Sequence, residues 1–222
     1  MKQEDQKEIF LKNEGDQYYL RHLNEVEDRD TIPHYVSYFN KYIKPNSKIL
    51  EIGCCFGRNL NFFYKTKNCS CYGIDPSQKA IEEGQKLFPH LNLKVGTSDS
   101  LKFEDESFDF VLFGFCLYLV DRKFLPLSIS EADRVLKNHG YLGITDFDSH
   151  IPHKRIYRHC KGIYSYKMDY SKPFLAFPHY TLAEKYSFSH TSDKFVEKVD
   201  ERVANIVLFK DYTNAFIEEP DI

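Results

Sequence analysis

The chain has 222 residues, 42% of them hydrophobic and 28% charged, and a formal net charge of −3. That length supports one α/β domain with a buried core, and the balance excludes a disordered chain. A negative total also argues against a general nucleic-acid binder, because phosphate backbones are met by basic surface.

The amino-terminal MKQEDQKEIF mixes both signs of charge and lacks the apolar core of a secretory signal, so a cytoplasmic protein is expected. The most apolar run, residues 110–120, is too short for a bilayer, which takes roughly 20 helical residues, and reads as a buried strand. No membrane partner is expected. The six cysteines are too few and too irregular for a disulfide framework, and neither Cys54–Cys55 nor Cys69–Cys71 has the spacing of a structural zinc site. They read as reduced thiols, with no metal.

Residues 1–30 are polar around one aromatic cluster, GDQYYLRHLNE, where helical turns are plausible. Tyr18, Tyr19 and Arg21 there either fold over a ligand in the neighbouring core or belong to a docking helix with a solvated arginine. Ile32, Tyr35, Val36, Phe39 and Ile43 repeat with a helical period, and Pro33 falls in the first turn, where its missing N–H costs nothing. KPNSK then turns the chain into a strand at 48–52.

Further strands are expected at 69–74, at 91–95, in FEDESFDFVLFGFCLYLV and at 141–147. The fourth has no polar face and should lie centrally in a parallel sheet. Helices alternate with them: one after the glycine loop, one opened by Asp75 as N-cap with Pro76 in its first position, and one over 121–137 closed by Asn138, His139 and Gly140. Alternation of this kind predicts a doubly wound α/β fold with helices on both faces. From Asp148 it breaks, and residues 151–178 are aromatic, basic and without a clear period. Two runs at 180–189 and 203–210 close the chain as strands. The expected divisions are a helical cover (1–46), a cofactor-binding core (47–148), a substrate-side insertion (149–178) and closing strands (179–222), all within one domain.

The chemistry concentrates in SKILEIGCCFGRNLNFF, where a strand passes through Glu51, Gly53 and Gly57 straight into a helix. Glycines there let the backbone turn tightly and approach a ligand, at the place where open α/β sheets bind ligands. Asp75, at the end of the next strand, is set to accept hydrogen bonds from a ribose diol. An NAD site pairs the same elements, but its fingerprint is G-x-G-x-x-G, whereas Gly53 and Gly57 are separated by three residues with no third glycine. Glu51 would sit badly beside a pyrophosphate and well beside a cationic ligand.

EIGCCFG resembles motif I of class I S-adenosylmethionine-dependent methyltransferases, E/D-x-G-x-G-x-G, with Cys55 in place of the middle glycine. Downstream, GIDPSQKAI resembles motif II, and VGTSDSLKFEDESFDFV resembles the family's adenine-side stretch, with Lys102 where a proline is common. The resemblance implies a seven-stranded sheet of order 3214576 with strand 7 antiparallel, and S-adenosyl-L-methionine as cofactor. It places Asp75 on the ribose, Pro76 and Ser77 beside the adenine, and Thr97, Ser98 and Asp99 in the adenine-contacting turn. Phe115, Cys116 and Leu117 then line the methionine end. Tyr19, Arg21, Cys54, Cys55, Gly57 and Asn59 complete the cofactor set with Glu51 and Gly53.

For the acceptor, Tyr118, Asp146, Asp148, His150 and His153 are the candidate catalytic groups at the carboxyl edge of the sheet. From His150 to His190 seven Lys or Arg face two acids. Arg155 and Arg158 suit a phosphate or carboxylate, and Tyr164 and Tyr166 suit a sugar ring or other flat group. FLKNEGDQYYLRH and YSYKMDYS also resemble small bacterial methyltransferases of surface-glycan and nonulosonic-acid biosynthesis, which implies sugar methylation. The expected activity is methyl transfer to the oxygen or nitrogen of a small, anionic acceptor such as a sugar or nucleotide-linked sugar. The competing readings are an NAD-type protein, a catalytically silent protein of the same fold, and a protein or RNA methyltransferase.

Overall fold

The computed structural model describes residues 5–23, 34–216 and 218. Seven strands form one sheet in the spatial order β3-β2-β1-β4-β5-β9-β8. They are β1 (Lys48–Ile52), β2 (Ser70–Asp75), β3 (Asn92–Val95), β4 (Phe108–Gly114), β5 (Leu136–Phe147), β8 (Tyr180–Ser189) and β9 (Arg202–Lys210). The first five run parallel, and β9 pairs antiparallel to β5 and to β8. With the hairpin β6 (His153–Ile156) and β7 (Tyr164–Lys167) set apart, this is the order 3214576 with the last strand reversed.

β4 sits in the middle because Phe108, Phe110, Val111, Leu112 and Phe113 are all buried, leaving no face for solvent. The core accordingly has two layers. On one face Ile49, Cys71 and Leu112 pack against α3 (His34–Tyr38), α4 (Arg58–Lys67) and α5 (Gln78–Leu87); on the other Leu50, Val111 and Ile144 pack against α6 (Leu125–Val135) and α7 (Lys172–Leu175). At the amino end α1 (Gln6–Ile9) passes through a π-type turn at Phe10–Glu14 into α2 (Gly15–Arg21).

Three local expectations need correction. Asp75 does not cap α5: Ser77 does, its Oγ accepting from the Ala80 N–H at 3.1 Å, while Asp75 accepts from the Ser77 N–H at 2.9 Å. The helix before β5 ends at Val135 and the strand begins at once; His139 has φ 61° inside a register shift between β4 and β5, so the apparent helix terminator is a bulge. The helix expected at 31–43 has its α-helical part at His34–Tyr38 and then tightens into a 3-10 turn, Phe39–Tyr42; Ile32 and Pro33 lie outside the described residues. Residues 151–178 are partly regular, with the β6–β7 hairpin followed by the short α7.

Among the described residues no group of three or more His, Cys, Asp or Glu is arranged to hold a metal, and no helix is long and apolar enough to cross a membrane.

Candidate active site

A cavity of about 660 Å³ opens at the carboxyl ends of β1, β2 and β4, beneath α1 and α2. Its floor is the turn after β1. Gly53 has φ 78°, and a Cβ there would lie 2.7 Å from the Cys116 Cβ, so only glycine lets β1 turn while β4 delivers Cys116 alongside. Cys55 is also left-handed, at φ 48°, and its N–H donates to Asp75 Oδ2 at 2.9 Å. Asp75 thus receives one backbone N–H on each oxygen and keeps further lone pairs on both. Burial pushes its carboxyl up to about 6.

Glu51 lies beneath this floor, fully buried, with Oε1 accepting from Asn59 Nδ2 at 2.7 Å. Its Oε2 has no partner among the described residues. Desolvation pushes the acid up to about 8, and the Asn59 hydrogen bond opposes that only partly. A buried carboxylate with an orphaned oxygen beside cavity-lining Asn59 and Gly114 fits a cationic ligand.

The cover is attached at three points. Gln6 Nε2 donates to the carbonyls of Leu119 (2.7 Å) and Tyr164 (2.8 Å), Lys7 pairs with Asp99 at 2.8 Å, and Asp16 accepts from Ser77 Oγ at 2.8 Å and from the Lys79 N–H at 3.0 Å. Gly15 allows α2 to lie directly on the β2–α5 turn, since a Cβ there would fall 3.1 Å from the Ser77 nitrogen. Lys7, Phe10, Tyr18 and His22 consequently face the cavity.

Of the residues expected to hold the cofactor, the cavity brings together Gly53, Cys54, Cys55 and Asn59, then Asp75 and Pro76, then Thr97, Ser98 and Asp99, and at β4 Phe115 and Cys116. Six expected members do not line it; Glu51 lies beneath the floor and Leu117 is buried in the core. Tyr19 packs into the core, Arg21 is held by Glu14 at 2.5 Å and Tyr157 at 3.1 Å, Gly57 is the left-handed N-cap of α4, and Ser77 is buried in its capping role. Arg21 is therefore not the solvated arginine that was the alternative.

The expected catalytic and acceptor residues do not line the cavity either. Tyr118 is buried against Phe115 and Phe147, and burial raises its hydroxyl well above the usual range. Asp146 accepts from the N–H groups of Tyr118 (3.2 Å) and Phe147 (2.8 Å), and Asp148 pairs with Lys185 (2.7 Å) and Arg202 (3.5 Å). His150 is exposed, 3.4 Å from the Arg202 guanidinium; His153 meets Asp200 at 2.8 Å, and Arg155 pairs with the same carboxylate. Arg158 is exposed. The Tyr164 ring lies under Lys154 and the Tyr166 ring under Arg122, each at 4.4 Å. The basic, aromatic hairpin is clamped to its own chain.

The wall facing Phe115 comes instead from the β8–β9 connection. β8 runs parallel to β5, so its end, Phe188 and Ser189, arrives at the ligand edge, and His190, Thr191, Ser192 and Asp193 continue along it. Tyr35 and Thr145 complete this wall. The stretch SFSHTSD, four hydroxyls and a histidine at the end of an expected strand, was the available signal.

Residues 50–144 match the family described as "Methyltransferase domain". The chain is 27% identical over 113 residues to an uncharacterized methyltransferase of Synechocystis, covering 51% of this chain and 53% of the relative. It is 31% identical over 130 residues to a phthiotriol/phenolphthiotriol dimycocerosates methyltransferase of Mycobacterium ulcerans, covering 56% and 46%. It thus spans about half the length of the curated relatives it matches. In fold it resembles the Burkholderia thailandensis 1,6-didemethyltoxoflavin-N1-methyltransferase, solved with bound 1,6-didemethyltoxoflavin and S-adenosylhomocysteine, at a TM-score of 0.67 and 14% identity over 88% of this chain and 84% of that one. The sheet order and the cavity at its carboxyl edge agree with the methyltransferase-domain match over residues 50–144 and with the fold of the solved methyltransferase.

Proposed function

We propose that the chain transfers the methyl group of S-adenosylmethionine to a small, hydroxyl-bearing acceptor, with sugars the leading class. The observation that carries this reading is a single cavity, about 660 Å³, lined at one end by Asp75 and the Thr97–Asp99 turn and at the other by an aromatic and hydroxyl-rich wall. That is room for a cofactor and a small partner side by side.

When bound, the cofactor supplies an electrophilic methyl on a sulfonium. The chain's own residues bind, align and exclude water. Asp75 is oriented by the Cys55 and Ser77 N–H groups to accept from a ribose diol, and Thr97, Ser98 and Asp99 flank the base. Glu51 offers its unpaired oxygen to the ligand's positive charge, while α1 and α2 cover the crevice.

The sequence leaned towards an anionic acceptor because of Arg155 and Arg158, but among the described residues the only Lys or Arg lining the cavity are Lys7 and Arg58, both on the cofactor side. Histidine, hydroxyl and aromatic groups at the other end favour a neutral hydroxyl compound, and flat rings such as Tyr35 and Phe188 suit a sugar face. The surface-glycan leaning stays within this class.

Calorimetric titration with S-adenosylhomocysteine and, separately, with NADH tests the reading. Binding of the first and none of the second is expected. NADH binding alone would move the chain to the oxidoreductases, and binding of neither would make it a silent relative.

A further inference from the structure

His190 is the one cavity-lining histidine whose ring is held by neighbouring rings and by no hydrogen bond among the described residues. Its backbone N–H donates to the Glu201 carbonyl at 2.8 Å, which fixes the residue at the start of the β8–β9 connection. The imidazole lies 5.4 Å from the Phe115 ring and 5.9 Å from the Phe147 ring, nearly parallel to the latter at 19°. Phe115 is itself pinned, its N–H donating to the Thr145 carbonyl at 2.9 Å. The ring is thereby aimed without its nitrogens being used.

The other titratable groups nearby are engaged, buried or open to solvent. His22 Nδ1 lies 2.7 Å from the Tyr18 carbonyl, Asp146 faces backbone N–H groups, Tyr118 is buried among rings, and Asp193 stands exposed. Three hydroxyl residues, Ser189, Thr191 and Ser192, flank His190, a setting that suits an acceptor rich in hydroxyls.

We propose that His190 is the general base of the transfer and that the group methylated is consequently a hydroxyl. This deepens the methyltransferase reading and rests on it. In the step, the acceptor oxygen attacks the sulfonium methyl: a C–O bond forms, the C–S bond breaks with its electron pair going to sulfur, and the hydroxyl proton passes to an imidazole nitrogen of His190. A hydroxyl needs such a base because it is a weak nucleophile until its proton leaves, whereas a neutral amine does not. His190 is exposed at the cavity wall, yet desolvation by its neighbours lowers its pKa, and Lys167 on β7 lowers it further. The ring is therefore neutral, and able to accept, at pH 7. Lys167 Nζ lies 3.9 Å from the centre of the Phe147 ring, the ring on which His190 stacks, so its charge is close enough to act on the imidazole.

The test is nuclear magnetic resonance of the imidazole, with calorimetry. In the full chain with S-adenosylmethionine, His190 ring protons should show dipolar contact with the cofactor methyl, and the ring should titrate below the ordinary histidine value. His190→Gln should bind S-adenosylhomocysteine within about twofold of the parent, as expected for a group that acts on the acceptor rather than on the cofactor. Cofactor binding with no contact between His190 and the methyl, or with His190 protonated at neutral pH, overturns the base assignment and leaves the methyltransferase reading intact. Failure of the parent chain to bind S-adenosylhomocysteine overturns the reading beneath it.

Discussion

The two ends of the cavity are built by different means. The cofactor end is made where strands stop: β1, β2 and β4 each deliver a turn, and its key contacts are backbone ones, such as the Cys55 and Ser77 N–H groups on Asp75. The end proposed for the acceptor is made of side chains carried in by segments far apart in sequence: Tyr18 and His22 from the amino terminus, Tyr35 from α3, and residues 188–193 from the β8–β9 connection. A backbone-built wall tolerates few substitutions at its turns, while a wall of side chains can be re-lined one residue at a time. On the proposed reading, the fold fixes the donor's place and leaves the acceptor's to the connections.

The largest expected break in this contrast is Asp75→Ala. It leaves the Cys55 and Ser77 N–H groups without their acceptor and removes the ribose partner, so S-adenosylhomocysteine affinity should fall by ~100-fold by calorimetry, about 2–3 kcal/mol for a lost charged hydrogen-bonding group. Undiminished affinity would detach Asp75 from the cofactor. Gly53→Ala comes next. Its backbone is left-handed and its new methyl meets Cys116, so thermal unfolding should show a loss of about 1–3 kcal/mol, together with weakened cofactor binding. Unchanged stability would mean that the turn is not constrained as described.

Glu51 sharpens the contrast through pH. Its folded value of about 8 lies above the ordinary 4.5, so the folded state binds more protons than the unfolded one across that window and stability falls as pH rises through it. His90 and His190, lowered by burial, act in the opposite sense below their ordinary 6.5, so the clean window is 6.5 to 8. There Tm of the free protein should drop by several degrees, and Glu51→Gln should flatten that drop. Asp146, pushed up to about 7 by burial, would account for a residual slope in the variant. An unaltered slope in Glu51→Gln would show that Glu51 is not the group that titrates in this window.

The smallest effect is expected from replacing Arg155 and Arg158 together by alanine. Exposed charges contribute at most about 1 kcal/mol, and neither lines the cavity, so S-adenosylhomocysteine affinity should be unchanged and Tm nearly so. A marked loss of affinity would make the hairpin part of the site after all.

The same contrast explains what could be read from the sequence. Motif-bearing turns are contiguous, so Gly53, Asp75 and the Thr97–Asp99 turn all reach the cavity where their spacing put them. The alternation of strands and helices likewise yields the doubly wound class, because crossovers of one hand leave few alternatives, while the strand order followed from the family resemblance. Charge counting over 150–190 misled because the balancing acid lies outside the window: Asp200 holds Arg155 from 45 residues away and His153 from 47. Tyrosines and cations that could clamp a sugar clamp one another equally well, as Arg122 over Tyr166 and Lys154 over Tyr164 show. His190 escaped notice for the converse reason: nothing within its own stretch reveals that a strand parallel to β5 ends beside Phe115. The Asn138–Gly140 bulge misread as a helix end shows the same limit, since a left-handed residue terminates helices and kinks strands alike.

The most direct measurement is a crystal structure of the chain with S-adenosylhomocysteine. The account predicts the ribose hydroxyls within hydrogen-bond distance of Asp75, the base against the Thr97–Asp99 turn, and the sulfur directed at Phe115 and His190. A ligand seated elsewhere, or one whose ribose lies away from Asp75, would contradict it.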